Sequence, residues 1–310
     1  MNGCRRNCSL CVASALSLVA LSGCLGITNS TKSPPPPAML STTDKPTPDL
    51  LIRNVLNKNA DLARSLDVRD LEMDITGGGQ SVGVSGTLYC QQPKNFHLRA
   101  RVLGNQVTSI GSNDQEFWYW IKEDKPPDLY HCSYADLARG GVRLPFPVQP
   151  EWVMEALGMA HYDASRGNFS VEMHGPTFDL IEQTVSSQNQ PIKKVIVFNN
   201  RNANASYPQI AAYKVFDANN KLICQATIDK VQRQPNGAIV PHKVTLEWPV
   251  QQLKLKLTLD GVTVNNPETD AGRNPGLFTR PRMNNIRTRD LARGTYDAPP
   301  MAIQPTSGVR

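Results

Sequence analysis

From Asp70 to Asp260 the apolar residues recur at every second position, and no other property of the chain narrows its fold so far. Leu71, Met73 and Ile75 alternate with three acids; Val82, Val84, Leu88 and Cys90 share one parity, and so do Phe96, Leu98, Ala100 and Val102. A period of two marks strands with one oily and one wet face. Gly77 to Gly79 and Pro93-Lys94-Asn95 supply turns, and segments 105–111, 115–122 and 127–132 continue the meander. A second set follows at 168–175, 177–186, 192–200, 208–217, 221–231, 239–248 and 252–260, clearest where Val244, Leu246, Trp248, Leu253, Leu255, Leu257 and Leu259 alternate with polar residues. Strands joined by short turns without crossover helices imply an antiparallel sheet. One that wide is expected to bend, which gives a mainly β (α+β) chain with a strongly curved sheet or half-barrel.

Two segments break the pattern. From Asp49, an available N-cap, the residues Leu51, Val55, Ala60, Leu62 and Leu66 fall near helical spacing. Met154 and Leu157 mark a second helix within 150–160, after Pro145, Pro147 and Pro150. Laid on the sheet, the two helices form a lid over its concave side. Leu51, Val55, Leu62, Val82, Val84, Leu88, Trp152 and Leu157 then line the enclosed space. In the block Phe117-Trp118-Tyr119-Trp120-Ile121 alternation sets Phe117, Tyr119 and Ile121 against Trp118 and Trp120. That strand either is covered on both faces or presents one face, with Phe117 and Tyr119, to a ligand cavity.

The flanks differ from this body. Residues 24–49 and 273–310 hold 11 prolines in 64 positions against 13 in the 223 between, so only 50–272 reads as globular, and one core suffices at that size. Arg5 and Arg6 precede the 15-residue run Ser9 to Gly23, too short to span a bilayer and patterned as a secretory signal peptide, residues 1–23. Leu21-Ser22-Gly23-Cys24 resembles the bacterial lipobox, whose cysteine is diacylated and becomes the new N-terminus. Cys24 is therefore the expected lipidation site and membrane attachment. Leu25, in place of the aspartate that retains lipoproteins in the inner membrane, points to the outer membrane facing the periplasm. Residues 24–49, with Pro34 to Pro37, form a semi-extended tether. Of the formal charge of +6, residues 273–310 carry +5 and residues 50–272 carry −1. The body thus lacks the basic stripe of a nucleic-acid binder. The Arg/Pro-rich tail is expected to be largely disordered beyond about residue 284 and to suit an anionic surface.

No catalytic constellation stands out, and the chain is not expected to be an enzyme. Cys4, Cys8 and Cys11 resemble an iron–sulfur spacing of radical enzymes but lie in the segment to be cleaved. Cys90, Cys132 and Cys224 either form one disulfide or act as small buried hydrophobes. None of the five histidines is paired at metal-ligand spacing, and neither metal nor cofactor is expected. His131 adjoins Cys132, yet strand neighbours point to opposite faces. Asp70, Glu72 and Asp74 read as a solvated face, and the Gly77 triplet as a turn, not a phosphate loop. A hydrolase would need titratable residues converging inside the cavity.

The order of lipobox, helix, meander, helical interruption and second meander resembles the LolA/LolB-type outer-membrane lipoprotein carriers and receptors. Phe96-His97-Leu98-Arg99-Ala100-Arg101, the Leu103-Gly104 turn and Ser112-Asn113-Asp114 before the aromatic block are similar to that family's strand, turn and tryptophan-strand succession. Gly276-Leu277-Phe278 with Pro281 is similar to its C-terminal stretch. The resemblance covers residues 50–283. It implies a half-barrel with a helical lid around an apolar cavity for palmitate-like acyl chains of lipoproteins or lipids, serving transport or localisation. Cys24 sets the chain nearer the anchored receptor, which delivers cargo through a protruding apolar loop; Leu103 lies in the corresponding short turn, and the tail has no counterpart. The alternative is a structural or assembly lipoprotein of the envelope whose cavity is a filled core.

Overall fold

The computed structural model describes residues 45–140, 142, 149–200 and 209–293. Helix α1 (Pro48–Leu51) opens with Pro48 at its first position and the Thr47 hydroxyl accepting from the Leu50 amide at 3.3 Å. A π-helical segment, Ile52–Asn57, and α2 (Lys58–Leu62) follow without a break. Leu51, Ile52, Leu56 and Ala60 are the buried residues here. Val55 and Leu62, expected on the buried face, are half-buried, and Leu66 belongs to the first strand. The wider i→i+5 turn displaces the face that a regular helical spacing assigns.

Strands β1 (Ser65–Gly77), β2 (Gln80–Gln91), β3 (Asn95–Val102), β4 (Asn105–Ser112), β5 (Glu116–Ile121) and β6 (Leu129–Ser133) form one antiparallel meander. β7 (Asn168–His174), β8 (Thr177–Val185), β9 (Pro191–Asn199), β10 (Ile210–Asp217), β11 (Leu222–Arg233), β12 (Ile239–Trp248) and β13 (Leu253–Val264) form the second. The meanders join through β1 and β13, paired from Leu66 opposite Val264 to Thr76 opposite Lys254. With β14 (Thr288–Asp290) added to β6, one curved, unclosed sheet of 14 strands results. The strongly curved antiparallel sheet read from the alternation, with the helices that the resemblance implies as its lid, is the fold found.

The connection between β6, next to one edge, and β7, the other edge, carries the α-helices α3 (Tyr134–Ala138) and α4 (Pro150–Ala156). Together with α1 and α2 they lie on one face of the sheet, the inner face. There Ile52, Leu56, Val153 and Leu157 join Leu71, Leu88, Phe117, Phe178, Phe198 and Leu257 in a single apolar core. The acids Asp70, Glu72 and Asp74 are exposed between these positions, with Asp74 opposite Lys256.

The C-terminal segment corrects the expected boundary. Residues expected to be tail from 273, and disordered from about 284, are packed as far as 293. Leu277 and Phe278 are buried, Met283 and Ile286 cover Trp118, Trp120 and Leu129, and Leu291 reaches the inner core. β14 runs parallel to β6, and the Leu291 amide donates to the His131 carbonyl at 2.9 Å. The tail's arginines, which composition assigns to an external anionic surface, meet carboxylates of the body instead. Arg287 is 3.3 Å from the buried Asp128, Arg289 bonds the same carboxylate, and Arg280 lies 3.5 Å from Glu116. A few well-placed apolar residues and these pairs outweigh an average composition that reads as disordered. Strand β5 is therefore covered on both faces. Gly111 on the neighbouring strand makes this possible, since a Cβ there would lie 2.3 Å from the Trp118 ring. The signal peptide, Cys24, most of the tether and residues 294–310 lie outside the described residues.

Candidate functional site

The inner face gathers nearly all the residues assigned to a cavity. Leu51, Leu88, Phe117, Tyr119 and Leu157 are buried in its core, and Val55, Leu62, Val84 and Trp152 are half-buried against it. Val82 is the exception. It sits opposite Ile75 near the tip of the β1–β2 hairpin, where it is half-exposed and outside that cluster. In this arrangement the helices fill the inner face: Leu51 and Leu157 are both 0% exposed.

Discrete polar bonds, not a second sheet, fasten the helices there. Asn57 donates to the Tyr162 carbonyl at 2.8 Å and accepts from the Tyr162 amide at 2.9 Å. Asn59 donates to the carbonyls of Gly158 and Ile239 at 3.1 and 3.0 Å, and accepts from the Ile239 amide at 2.8 Å. On α4, Glu155 accepts a hydrogen bond from the Lys194 ammonium of β9. Burial lowers the affinity of Lys194 for its proton, but the Glu155 carboxylate, helped by Glu182 and Glu151, more than offsets this and holds its pKa above the ordinary range. Glu182 moves the same way for another reason: burial raises its pKa against the opposing charge of Lys194.

Sequence reasoning missed Glu155, Glu182, Lys194, Asn57 and Tyr162. A signal was present for two of them. Ile192, Ile196 and Phe198 share the parity of Lys194, and Phe178 and Leu180 that of Glu182, so both charges occupy inward positions on apolar faces.

The thiols are not poised for nucleophilic work. Cys90, Cys132 and Cys224 are free and buried. Burial pushes Cys90 and Cys224 well above the ordinary thiol range, and Cys132 up to about 11 with the Asp290 charge adding to it. His131 turns away from the core that holds Cys132, its Nδ1 lying 3.3 Å from Glu116.

A putative outer membrane lipoprotein-sorting protein domain from Vibrio parahaemolyticus superposes on 76% of this chain and 98% of its own, with a TM-score of 0.52 at 9% identity. The two share a fold. A LolA superfamily protein, NE2245, from Nitrosomonas europaea (TM-score 0.47, 11% identity, 76% of this chain and 99% of that one) and a DUF1329 family protein from Desulfovibrio piger (0.46, 9%, 72% and 99%) also match. No family model and no curated protein matches the sequence. Among the described residues no helix is long and apolar enough to cross a membrane.

Proposed function

We propose that the chain is a lipid-anchored protein of the bacterial cell envelope that binds acyl chains of lipoproteins or lipids between the sheet and its helices, for transport or localisation. One observation carries this reading. Among the described residues, a broad apolar sheet face is roofed by short helices, tied by discrete polar bonds, so displacing the roof frees apolar area without breaking the sheet. The shared fold with a domain named for lipoprotein sorting supports it. Leu103 adds to it: this side chain is 95% exposed at the tip of the β3–β4 hairpin and has a φ of 48°, a conformation unfavourable for leucine that serves no packing here. No step of the proposal is catalytic.

The competing reading, a structural lipoprotein with a filled core, draws on the complete burial of Leu51 and Leu157. Val84 separates the two. It lies half-buried on β2 opposite Met73. Val84→Phe in a packed core costs about 1–3 kcal/mol, whereas in an acyl site it displaces ligand at little cost to stability. The full chain purified without detergent is expected to release stoichiometric acyl chains into an organic extract, detected by mass spectrometry, and the Val84→Phe chain to release fewer while melting within a few degrees. An extract free of acyl chains, with strong destabilisation by the substitution, favours the structural reading.

Anchoring has its own test. Two acyl chains on Cys24 contribute about 0.8 kcal/mol per buried methylene, enough for stable attachment where one chain is marginal. Cys24→Ser is expected to move the chain from the membrane to the soluble fraction; full retention on membranes refutes the lipobox reading.

A further inference from the structure

An open groove and an enclosed niche meet at Tyr162. The groove, about 390 Å³, is lined by Ile52, Arg53 and Asn57 of the π-helical segment and by residues 161–165. The niche, about 10 Å³, lies beneath α4 among Glu155, Glu182 and Lys194, with Leu180 and Ile196 in its apolar walls. Tyr162 lines both. Asn57 clamps its backbone from both sides, so the ring is held between the two spaces. The clamp comes from a π-helical turn, a rare geometry that recurs at functional sites.

The polar groups around the niche do not balance. Lys194 is bonded to Glu155, stands directly opposite Glu182 in the β8–β9 pairing, and is also reached by the Glu151 charge. Two carboxylates thus line the niche beside one ammonium, with the Glu151 charge acting on it as well; the second lysine of the lining, Lys214, alternates with the inward Tyr213 and Val215, so its head turns to the opposite face, toward Asp179. The Tyr162 hydroxyl, under the influence of Glu155 and Glu182, is buried without a hydrogen-bond partner. An occupant with positive charge and N–H donors satisfies both conditions, because the carboxylates and the tyrosine oxygen accept from it. A carboxylate occupant worsens the imbalance.

We propose that groove and niche form one site for a single-chain amphiphile with a primary ammonium head. The head sits in the niche, which has room for one ammonium-sized group, between Glu182 and Tyr162; the chain runs out along Ile52 and Ala164, with the Tyr162 ring against the carbons that join them. This rests on the acyl-binding reading and adds the charge of the preferred head.

The test is calorimetric titration of the full, delipidated chain at pH 7 with dodecylammonium and dodecanoate, each below its micelle concentration. Dodecylammonium is expected to bind once per chain and about tenfold or more tighter than dodecanoate. Glu182→Gln is expected to narrow that preference to about threefold or less, and Tyr162→Phe to weaken dodecylammonium alone. If Glu182→Gln fails to fold, Tyr162→Phe carries the test. Equal binding of the two probes, or a preference that both variants leave unchanged, overturns the proposal and leaves the niche as the place of a buried water only. Equal binding that Val84→Phe weakens for both probes spares the acyl-binding reading; no binding of either probe removes both.

Discussion

Truncation after Met283 is expected to lower the melting temperature by roughly 5–20 °C. The cut removes β14, Ile286 from above the tryptophans and Leu291 from the inner core. Losing a buried leucine forfeits about 1.5–3 kcal/mol. It also strips Arg287 and Arg289 from Asp128, whose side chain is 5% exposed. Those arginines are largely solvated, so the discounted cost is that of a buried acceptor left unpaired, about 1–3 kcal/mol. At roughly 2–4 °C per kcal/mol for a body of this size, the sum is easily read in a thermal scan. Composition alone points to the opposite outcome, and a melting temperature unmoved by the cut would show that the segment does not pack.

A second large effect is expected from acid. His97 is 2% exposed, edge-on to Trp118, and donates from Nδ1 to the Leu277 carbonyl at 2.7 Å. Its Nε2 is left to accept from the Ser109 hydroxyl at 3.2 Å and from Arg99 Nε at 3.3 Å. A second proton would therefore meet donors. Burial, then the Arg99 charge, lowers the pKa from 6.5 to about 4, against the opposing bond to Leu277. Below pH 6.5 the unfolded chain takes up a proton that the folded chain refuses, so stability falls as pH falls through this window and stops falling near the folded value of about 4. The loss is about 3 kcal/mol at 1.36 kcal/mol per pKa unit. Half-buried carboxylates such as Glu182, whose raised pKa works in the other direction, make a comparison necessary. Melting curves of the native chain and His97→Gln from pH 7 to 4 are expected to differ in slope, the native chain being the more acid-sensitive; parallel curves would refute the assignment.

The sheet was legible because alternation is a local signal. The Val244 to Leu259 stretch marked the turn between its two strands nearly to the residue, although the second strand runs on to Val264, and Phe117 to Ile121 left two arrangements open, of which the one covered on both faces is found. Helix register was not legible to the same degree, since nothing in Leu51 to Leu62 announces a π-helical turn, and that turn moved Val55 and Leu62 to the margin. The packing of Met283, Ile286 and Leu291 was hidden for a different reason. Three apolar residues dispersed among Arg and Pro have no period, and only the partner surface on β5 and β6 gives them one place to go. Of the candidate site, parity was enough to place residues such as Leu88 and Phe117 on the inner apolar face, though not Val82. The inward charges were overlooked because Glu182 and Lys194, both half-buried, interrupt otherwise apolar faces, where a strand reading favours the majority.

The β1–β13 pairing also dictates an order of assembly. Each meander consists of hairpins whose partners are close in sequence, so each can form soon after its own strands exist. The seam between them links Leu66 to Val264, and its closure entropy is that of nearly the whole body. Until β13 has emerged, β1 offers a bare edge with Leu71, Met73 and Ile75 uncovered on one side, an invitation to mispair with another chain. A protein of this topology therefore gains from being held apart from its neighbours until its last long strand is delivered, and its aggregation risk is concentrated in that interval.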